Sequence, residues 1–104
     1  MSETPIILSD AARTELIDLW EKYAAISEEL ADRILYRLRQ RITTLSRFPE
    51  MGRPRPEFSL PGLRSVAVNP HVIFYSISNE PSVIIHHVAD GRRNLAAFFP
   101  HEQS

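Results

Sequence analysis

The sequence predicts an α+β fold, in which an N-terminal strand and a helical hairpin pack on a small twisted antiparallel sheet. The first half of the chain has apolar residues at helical spacing, and the second half has three short runs rich in β-branched and aromatic residues. Pro, Gly and Asn residues separate these runs, as they do in turns. Because the helical and strand-forming parts are separate along the chain, we expect the helices to cover one face of the sheet.

The first half predicts two helices joined by a short connection. Ser9 and Ser27 each precede a run with helical periodicity and are typical N-cap residues. The second helix has the stronger pattern, and its apolar positions recur every three or four residues: Leu30, Ile34, Leu35, Leu38, Ile42 and Leu45. Pro49 ends this helix, because proline cannot continue it. A short connection near Ala25 and Ile26 makes the two helices antiparallel neighbours.

The second half predicts three strands, at residues 64–68, 72–78 and 83–88. The turns between them are short, so we expect an antiparallel meander. A further short strand is predicted at Ile6–Leu8, and residues 49–56, with three prolines and a glycine, are predicted to form a loop. The last two strands are apolar at successive positions rather than alternate ones, which indicates that the second sheet face is covered by another chain.

Composition limits the class of protein. At 104 residues we expect one domain spanning residues 1–104. The absence of cysteine excludes disulfides and thiolate metal sites and fits a reducing compartment. No run approaches the roughly 20 apolar residues of a membrane-spanning helix, and the N-terminus lacks the features of a signal peptide. We therefore expect a soluble, cytoplasmic protein that needs no membrane and no cofactor.

Charge is unevenly distributed along the chain, although the net charge is only −1. Acidic residues dominate residues 1–32, whereas residues 33–64 hold eight arginines and only two acidic residues. Eleven of the twelve basic residues are arginine, whose planar guanidinium group suits carboxylate and phosphate. The segregation favours a basic surface for an acidic protein or for nucleic acid. Codon bias and ordinary solvated helix faces are the alternative explanation.

The four histidines show no metal-binding or acid–base pattern. His86 and His87 are consecutive in a predicted strand, so we expect their side chains to point to opposite faces. His71 falls in a predicted turn and His101 in the C-terminal tail, and no pair has the i, i+4 spacing of a helical metal site. We therefore expect no metal and a structural or surface role for His86 and His87. The sequence also has no nucleophile motif and no phosphate-binding glycine loop.

Three arginines are candidates for binding an anion. Arg64 opens a predicted strand, and Arg92 and Arg93 follow the end of another. Brought together, they could stabilise a phosphate or bind an acidic loop. Sequence spacing alone does not place them side by side, and each could instead pair with a neighbouring acid such as Asp90 or Glu57.

Four aromatic residues are candidates for partner contacts. Phe98 and Phe99 lie near the C-terminus and are either core residues, which is the favoured interpretation, or an exposed anchor. Trp20 and Tyr23 lie beside the apolar stripe of the first helix. Most aromatic residues in that position belong to the core, but a small domain can also use them to bind a partner.

Four short motifs resemble the ParE/RelE superfamily of bacterial toxins, the toxic halves of toxin–antitoxin pairs. The matching pieces are Pro49-x-x-Gly52-Arg53, Leu63-Arg64, Ile73-Phe74-Tyr75 and Val88-x-x-Gly91-Arg92-Arg93. Each motif alone is weak, but their order and spacing together are fairly specific, and the resemblance extends from the first strand to Phe99. It implies a helical hairpin on a twisted antiparallel sheet, and an antitoxin that wraps the helices and the sheet.

Within the superfamily, the loop motif and Gly91-Arg92-Arg93 look more like ParE. Members of that branch are described as poisons of DNA gyrase that bind the enzyme without chemistry of their own. The resemblance therefore implies a plasmid-stabilising toxin of a type II system. Its implied contacts to gyrase are three arginines and two phenylalanines: Arg64, Arg92, Arg93, Phe98 and Phe99.

The implied partner is a ParD-like antitoxin, bound in a hetero-oligomer. It would cover Trp20, Tyr23, Arg37 and Arg41. Its carboxylates would meet the row of arginines on the second helix, which are four residues apart: Arg33, Arg37 and Arg41. Contact with operator DNA would be indirect, through the antitoxin.

The RelE-like branch implies a different activity, ribosome-dependent cleavage of messenger RNA. Such cleavage needs a base, cations at the phosphate and an acid for the leaving oxygen. Arg64 and Arg93 fall where two endonuclease arginines would be, but Phe99 stands in the place of the tyrosine, and a phenyl ring cannot transfer a proton. His101 is a possible substitute. A third possibility is an inactive toxin-fold protein that serves as a binding partner or co-repressor.

Three residues depart from the usual ParE pattern. His87 occupies the place of a common arginine, Asp90 that of a frequent histidine, and Asn94 that of a frequent aspartate. These departures leave the expected fold unchanged and bear on the target and the potency.

Overall fold

A computed structural model describes residues 3–100 and confirms the α+β class. Its elements follow the predicted order. They are β1 (Ile6–Leu8), α1 (Asp10–Ala24), α2 (Glu28–Arg47), β2 (Arg53–Pro54), β3 (Arg64–Val68), β4 (His71–Ile77), β5 (Val83–Asp90) and a final 3₁₀ turn (Leu95–Phe98). No helix in this part of the chain is long and apolar enough to cross a membrane.

The helical hairpin forms as predicted, with both N-caps in place. The Ser9 hydroxyl accepts the Ala12 N–H at 3.0 Å, and the Ser27 hydroxyl accepts the Leu30 N–H at 3.2 Å. These bonds satisfy donors that a helix start otherwise leaves unpaired. Acidic residues in both first turns favour the positive end of the helix dipole.

The sheet has the strand order β1-β5-β4-β3-β2, and β3, β4 and β5 form the predicted antiparallel meander. Two details differ from the prediction. The sheet is mixed, because β1 lies parallel to β5 at one edge. Parallel strands need a long connection between them, and the connection from β1 to β5 begins with the helical hairpin. At the other edge, β2 lies within the predicted loop and pairs with Arg64 and Ser65 of β3. An edge position tolerates its proline.

A β-bulge in β5 changes which way its histidines face. Phe74 pairs with His87 and Tyr75 pairs with Ile85, so His86 is an extra residue without a partner on β4. The His86 ring lies 2.7 Å from the hydroxyl of Ser76, which is on the same face of β4 as Phe74. The His87 ring packs on Phe98 and Phe99 over that face too. The prediction that the two histidines point to opposite faces was therefore wrong.

The main core lies between the helices and one face of the sheet. The helices contribute small and branched side chains, and the strands contribute β-branched residues and one tyrosine. Its buried members are Ala12, Leu19, Leu38, Leu45, Val66, Val68, Ile73, Tyr75, Val83, Ile85 and Val88. Burial of this apolar surface is the main stabilising contribution to the fold.

The second sheet face carries a smaller core built from this same chain. Phe74 and Ala89 of the sheet pack there with Leu63 and Phe99, and Phe58 lies against them. The rings of Phe58 and Phe99 are stacked with centroids 5.3 Å apart. The prediction that another chain covers this face was wrong for the part that these residues cover, because the segments before β3 and after β5 fold over it.

The Pro-Gly loop is fixed by the hydroxyl of Tyr75. This side chain is fully buried, donates a hydrogen bond to the Pro49 carbonyl at 2.6 Å and accepts one from the Gly52 N–H at 2.8 Å. A Cβ atom at residue 52 would collide with the Tyr75 hydroxyl and ring. The loop crosses the buried Tyr75 hydroxyl, and this hydroxyl therefore explains why the loop has the Pro49-x-x-Gly52 spacing.

Replacement of Tyr75 by phenylalanine tests this coupling. The Gly52 N–H and the Pro49 carbonyl would lose their partner, so we expect the free energy of unfolding to fall by about 1–3 kcal/mol. The matched control is Tyr36→Phe, since Tyr36 is 63% exposed and should change stability by less than about 0.5 kcal/mol. Urea denaturation measures both, and equal losses in the two variants would contradict the coupling.

Candidate functional site

Arg64 holds the Pro-Gly loop from the first position of β3. Its guanidinium donates hydrogen bonds to the carbonyl oxygens of Glu50 and Gly52, at 3.0 and 2.8 Å. The side chain is half-buried. In this arrangement the donors of Arg64 serve the same loop that Tyr75 anchors, so its position already has a structural explanation.

Arg92 is held by its neighbour Asp90. The carboxylate accepts the Arg92 backbone N–H, its Nε–H at 3.0 Å and its terminal N–H at 2.6 Å. These hydrogen bonds keep the pKa of Asp90 well below its usual range and raise the pKa of Arg92. The alternative that an arginine pairs with a neighbouring acid holds here, and Arg55 pairs with Glu57 in the same way at 2.8 Å.

Arg93 is exposed and has no ion-pair partner within residues 3–100. Its guanidinium carbon lies 5.4 Å from the centre of the Phe98 ring, a distance typical of a cation–π contact. Phe98 is half-buried and packs on His87. Arg93 and Phe98 thus form a small cationic and aromatic surface next to the end of β5.

The three candidate arginines do not form one cluster. Arg64 lies opposite Tyr75 on β4, whereas Asp90, which precedes Arg92 and Arg93, lies opposite His71. These two positions on β4 are about 13 Å apart at roughly 3.3 Å per residue. The idea that all three arginines hold one phosphate is corrected by the antiparallel topology, which puts the start of β3 and the end of β5 at opposite ends of the sheet.

Phe99 is a core residue. It is only 7% exposed, and its ring makes an edge contact with Phe74 at a centroid distance of 5.0 Å. The favoured interpretation of Phe99 as a core residue therefore holds, because the surface of its ring is used inside the chain. His101, the other candidate for acid–base chemistry, lies outside the described residues.

Glu15 of α1, which the sequence analysis did not single out, contacts β5. One of its carboxylate oxygens accepts the Val88 N–H at 2.9 Å, and the other lies 2.9 Å from His87 Nδ1. The carboxylate therefore occupies the edge of β5 beyond the end of β1. A signal was present, because Glu15 lies three residues after Ala12 and four before Leu19, on the apolar stripe of α1.

His71 is the first residue of β4 and is buried, so its placement in a turn was wrong. The turn is confined to Asn69 and the cis-proline Pro70. The His71 ring makes an edge contact with Tyr23, with centroids 6.0 Å apart. Burial lowers the pKa of His71, and it also lowers the pKa of His86.

An open apolar groove lies between α1, α2 and β1. Its volume is about 770 Å³, and it includes Trp20, which the sequence analysis had identified. Most of the other side chains that line it are apolar: Ile6, Leu8, Leu16, Ile17, Leu35 and Ile42. Ile17 is 54% exposed there. Glu3 and Arg39 add charge to this largely apolar surface.

The four residues assigned to the antitoxin do not share one surface. Trp20 lines the apolar groove, and its indole N–H donates to Asp32 of α2 at 3.0 Å. Arg37 lies five residues after Asp32, about 140° around the helix, and lines a different hollow with Arg41 beside the end of β3. Tyr23 packs on His71 and the main core. A partner that contacted all four would have to extend around α2.

No group of three or more His, Asp or Glu side chains within residues 3–100 is arranged to hold a metal ion. Ionisable side chains lie in pairs instead, such as Asp90 with Arg92 and Glu15 with His87.

Solved toxin–antitoxin structures have this fold. The chain superposes with a TM-score of 0.72 on a chain of the chromosomal ParDE system from P. aeruginosa, at 16% identity over 85% of this chain and 96% of that one. A chain of the RelBE2 toxin–antitoxin complex from Mycobacterium tuberculosis gives a TM-score of 0.60, at 23% identity over 86% and 99% of the two chains. The fold is therefore that of the ParE/RelE class of toxins.

Sequence comparison defines the family more narrowly. Toxin ParE3 of Caulobacter vibrioides is 39% identical over 69 residues, which are 66% of this chain and 67% of that toxin. Toxin ParE1 of Mycobacterium tuberculosis is 29% identical over 94 residues, 86% of this chain and 95% of that toxin. Residues 6–95 match the model of the ParE toxin of the type II toxin–antitoxin system parDE. The chain belongs to the ParE toxin family, as its motifs had indicated.

The buried histidines predict a pH dependence of stability. The unfolded chain binds protons at His71 and His86 below about pH 6.5, whereas the folded chain, in which both pKa values are lowered, binds them only at lower pH. The free energy of unfolding should therefore fall as the pH drops below about 6.5. The carboxyl groups with lowered pKa values titrate below this range.

The variant His71→Phe keeps an aromatic ring against Tyr23 and removes one of the two buried histidines. We expect a smaller loss of stability between pH 7.5 and pH 5.5 than in the unaltered chain, measured by urea denaturation at the two pH values. A loss of the same size in both proteins would show that His71 is not kept neutral by the fold.

Proposed function

We propose that this toxin acts by binding DNA gyrase, without chemistry of its own, and that a ParD-like antitoxin neutralises it in the cytoplasm. The observation that carries the antitoxin part is the apolar groove between α1, α2 and β1. Contact with operator DNA would come only through the antitoxin.

The groove has the features of a surface that binds a helical segment of a partner. It is open to solvent, mostly apolar and bounded by two antiparallel helices, which is the surface that an amphipathic helix binds. Ile17 is exposed and Trp20 is half-buried, and such side chains contribute most to binding affinity where a partner removes them from water. The solved structures with this fold include a toxin–antitoxin complex, which supports the same kind of partner here.

The arginines and aromatic residues support binding rather than catalysis. Cleavage of RNA needs cations and a proton donor around one phosphate. Arg64 and Arg93 lie at opposite ends of the sheet, and the phenyl ring of Phe99 is inside the second core. Among the predicted target contacts, Arg93 and Phe98 keep the greatest freedom to meet another protein, since Arg64 and Arg92 are already hydrogen bonded within the chain.

The groove assignment is tested by matched isoleucine variants. Ile17→Asp puts a charge into the groove, so we expect affinity for the antitoxin encoded beside the toxin gene to fall by at least about tenfold. Ile26→Asp is the control, because Ile26 is 73% exposed at the hairpin connection and does not line the groove. Fluorescence anisotropy of labelled antitoxin measures both affinities. Equal affinities for the two variants would contradict the groove assignment.

Toxicity is tested by expression of the chain without antitoxin. We expect growth arrest with filamentation and induction of an SOS reporter, and Arg93→Ala should weaken both while leaving the melting temperature nearly unchanged. Arg33→Ala is the control, since Arg33 is an exposed arginine of α2, far along the chain from the end of β5.

Three other outcomes would contradict parts of this proposal. Full toxicity of Arg93→Ala would exclude Arg93 as a target contact. Arrest with rapid loss of translation and no SOS response would favour the RelE-like endonuclease. Normal growth would favour an inactive binding partner or co-repressor.

Arg64→Ala should reduce stability as well as toxicity, because it releases the carbonyl oxygens of Glu50 and Gly52.

A further inference from the structure

Strand β1 is an open edge of the sheet. It pairs with β5 on one side, and no strand within residues 3–100 lies on its other side. The Pro5 carbonyl accepts the Val83 N–H at 2.8 Å, and the Ser9 N–H donates to the Ile85 carbonyl at 3.0 Å. Backbone groups alternate in direction along a strand, so every second residue from Pro5 to Ser9 faces β5.

The two intervening residues, Ile6 and Leu8, therefore direct their N–H and C=O groups outward, away from β5. These four groups have no hydrogen-bond partner in the part of the chain that the structure describes. All three side chains of the strand are apolar, so it lacks the charged residue that commonly protects an exposed edge. The edge thus offers two donors and two acceptors to a further strand.

The middle residue of β1 lies on an uncovered part of the second sheet face. Ile7 is the partner of Ile84, and Ile84 is the partner of Ser76, which lies on that face. Side chains of partner residues on adjacent strands lie on the same face of a sheet. Neither isoleucine belongs to the second core, and Ile7 is 49% exposed. An apolar patch therefore lies beside the open edge.

A second copy of this chain fits the edge, because β1 is complementary to itself. When two β1 strands lie antiparallel about a twofold axis at Ile7, Ile6 of each copy is opposite Leu8 of the other. Each of these two pairs exchanges N–H···O=C bonds in both directions, which gives four hydrogen bonds. Every outward N–H and C=O group of both strands then has a partner.

Apolar contact accompanies these bonds. Ile7 of one copy faces Ile7 of the other in a non-hydrogen-bonded pair, in which the Cα atoms are about 4.5 Å apart. With Ile84 beside each of them, four isoleucines form one row across the joined sheets. A strand pair of this length is marginal by itself, and removal of the row from water adds to its stability.

We propose that this chain forms a homodimer in which the two β1 strands pair edge to edge and join the two sheets into one. The twofold axis is perpendicular to the joined sheet, so the helices of both copies lie on the same side of it. The same three residues supply both sides of the contact, which favours a second copy over a strand of another protein. An interface this small makes a weak dimer. The proposal does not depend on gyrase or on the antitoxin.

The register is tested by a disulfide across the axis. The chain has no cysteine, so Ile7→Cys introduces a single thiol. The two Cα atoms at the axis, about 4.5 Å apart, are within the range that a disulfide spans. We expect this variant to form a covalent dimer under mild oxidation at least about tenfold faster than Ile26→Cys. Ile26 is 73% exposed and lies beyond α1, about 22 Å along the helix from the end of β1.

The second test measures the mass of the chain as a function of its concentration. Sedimentation equilibrium should show a dimer of the unaltered chain at about 100 µM and a monomer on dilution. Ile7→Lys puts two like charges opposite each other on the axis, so we expect the dissociation constant to rise at least about tenfold. Ile26→Lys is the matched control and should dimerise as the unaltered chain does. Thermal denaturation checks that both variants fold.

Amide hydrogen exchange gives a direct signature of the edge. The Ile6 and Leu8 N–H groups should exchange more slowly in the dimer than in the dilute monomer. The Ile7 N–H, which points toward β5, should change much less. If Ile7→Lys does not fold, the cysteine variants and hydrogen exchange are decisive.

A chain that stays monomeric at about 100 µM, with equal rates of disulfide formation in the two cysteine variants, would overturn the inference. Loss of antitoxin affinity in Ile7→Lys, with the unaltered chain monomeric, would also overturn it and would assign the edge to the antitoxin. The proposed function is tested separately by Ile17→Asp and by the supercoiling of DNA, so either proposal can fail without the other.

Discussion

The hydroxyl of Tyr75 is the interaction on which the link between the helices and the sheet depends. Tyr75 belongs to the main core. Its hydroxyl is hydrogen bonded to the Pro49 carbonyl and the Gly52 N–H, in the loop that leads from α2 to the sheet edge. A buried hydroxyl needs partners, and the crossing loop can come close only if residue 52 lacks a side chain. Arg64 completes the anchor from β3. Gly52 and Arg64, which belong to the family motifs, therefore have structural roles in this chain.

Much of the fold could be predicted because it depends on local signals. The caps at Ser9 and Ser27, the helical periodicity and the turn residues each act over a few positions, and the helices and meander form where these signals lie. The bulge at His86 could not be predicted, since it depends on how β5 pairs with β4 over its whole length. The pairing of β1 depends likewise on distant residues. The second core could not be predicted either, because it forms only when the C-terminal segment folds back over the sheet.

The functional residues were predicted less completely than the fold. The resemblance identified the family and drew attention to Arg64, Arg92 and Arg93, but the neighbours of each arginine determine which contacts it makes. Asp90 holds Arg92, and the loop holds Arg64, so Arg93 is the one of these three arginines that is most available to another molecule. The proposed antitoxin-binding surface is the apolar groove between α1, α2 and β1. Which side of a helix faces the neighbouring helix is set by tertiary packing.

The most direct test of the proposed activity is a supercoiling assay with purified DNA gyrase and the purified toxin. We expect the toxin to stop supercoiling at concentrations near that of gyrase, and an equimolar amount of the antitoxin to restore it. Arg93→Ala should require a higher concentration for the same effect. Supercoiling that continued at a large excess of folded toxin would contradict gyrase inhibition, and cleavage of messenger RNA on the ribosome under the same conditions would identify the endonuclease instead.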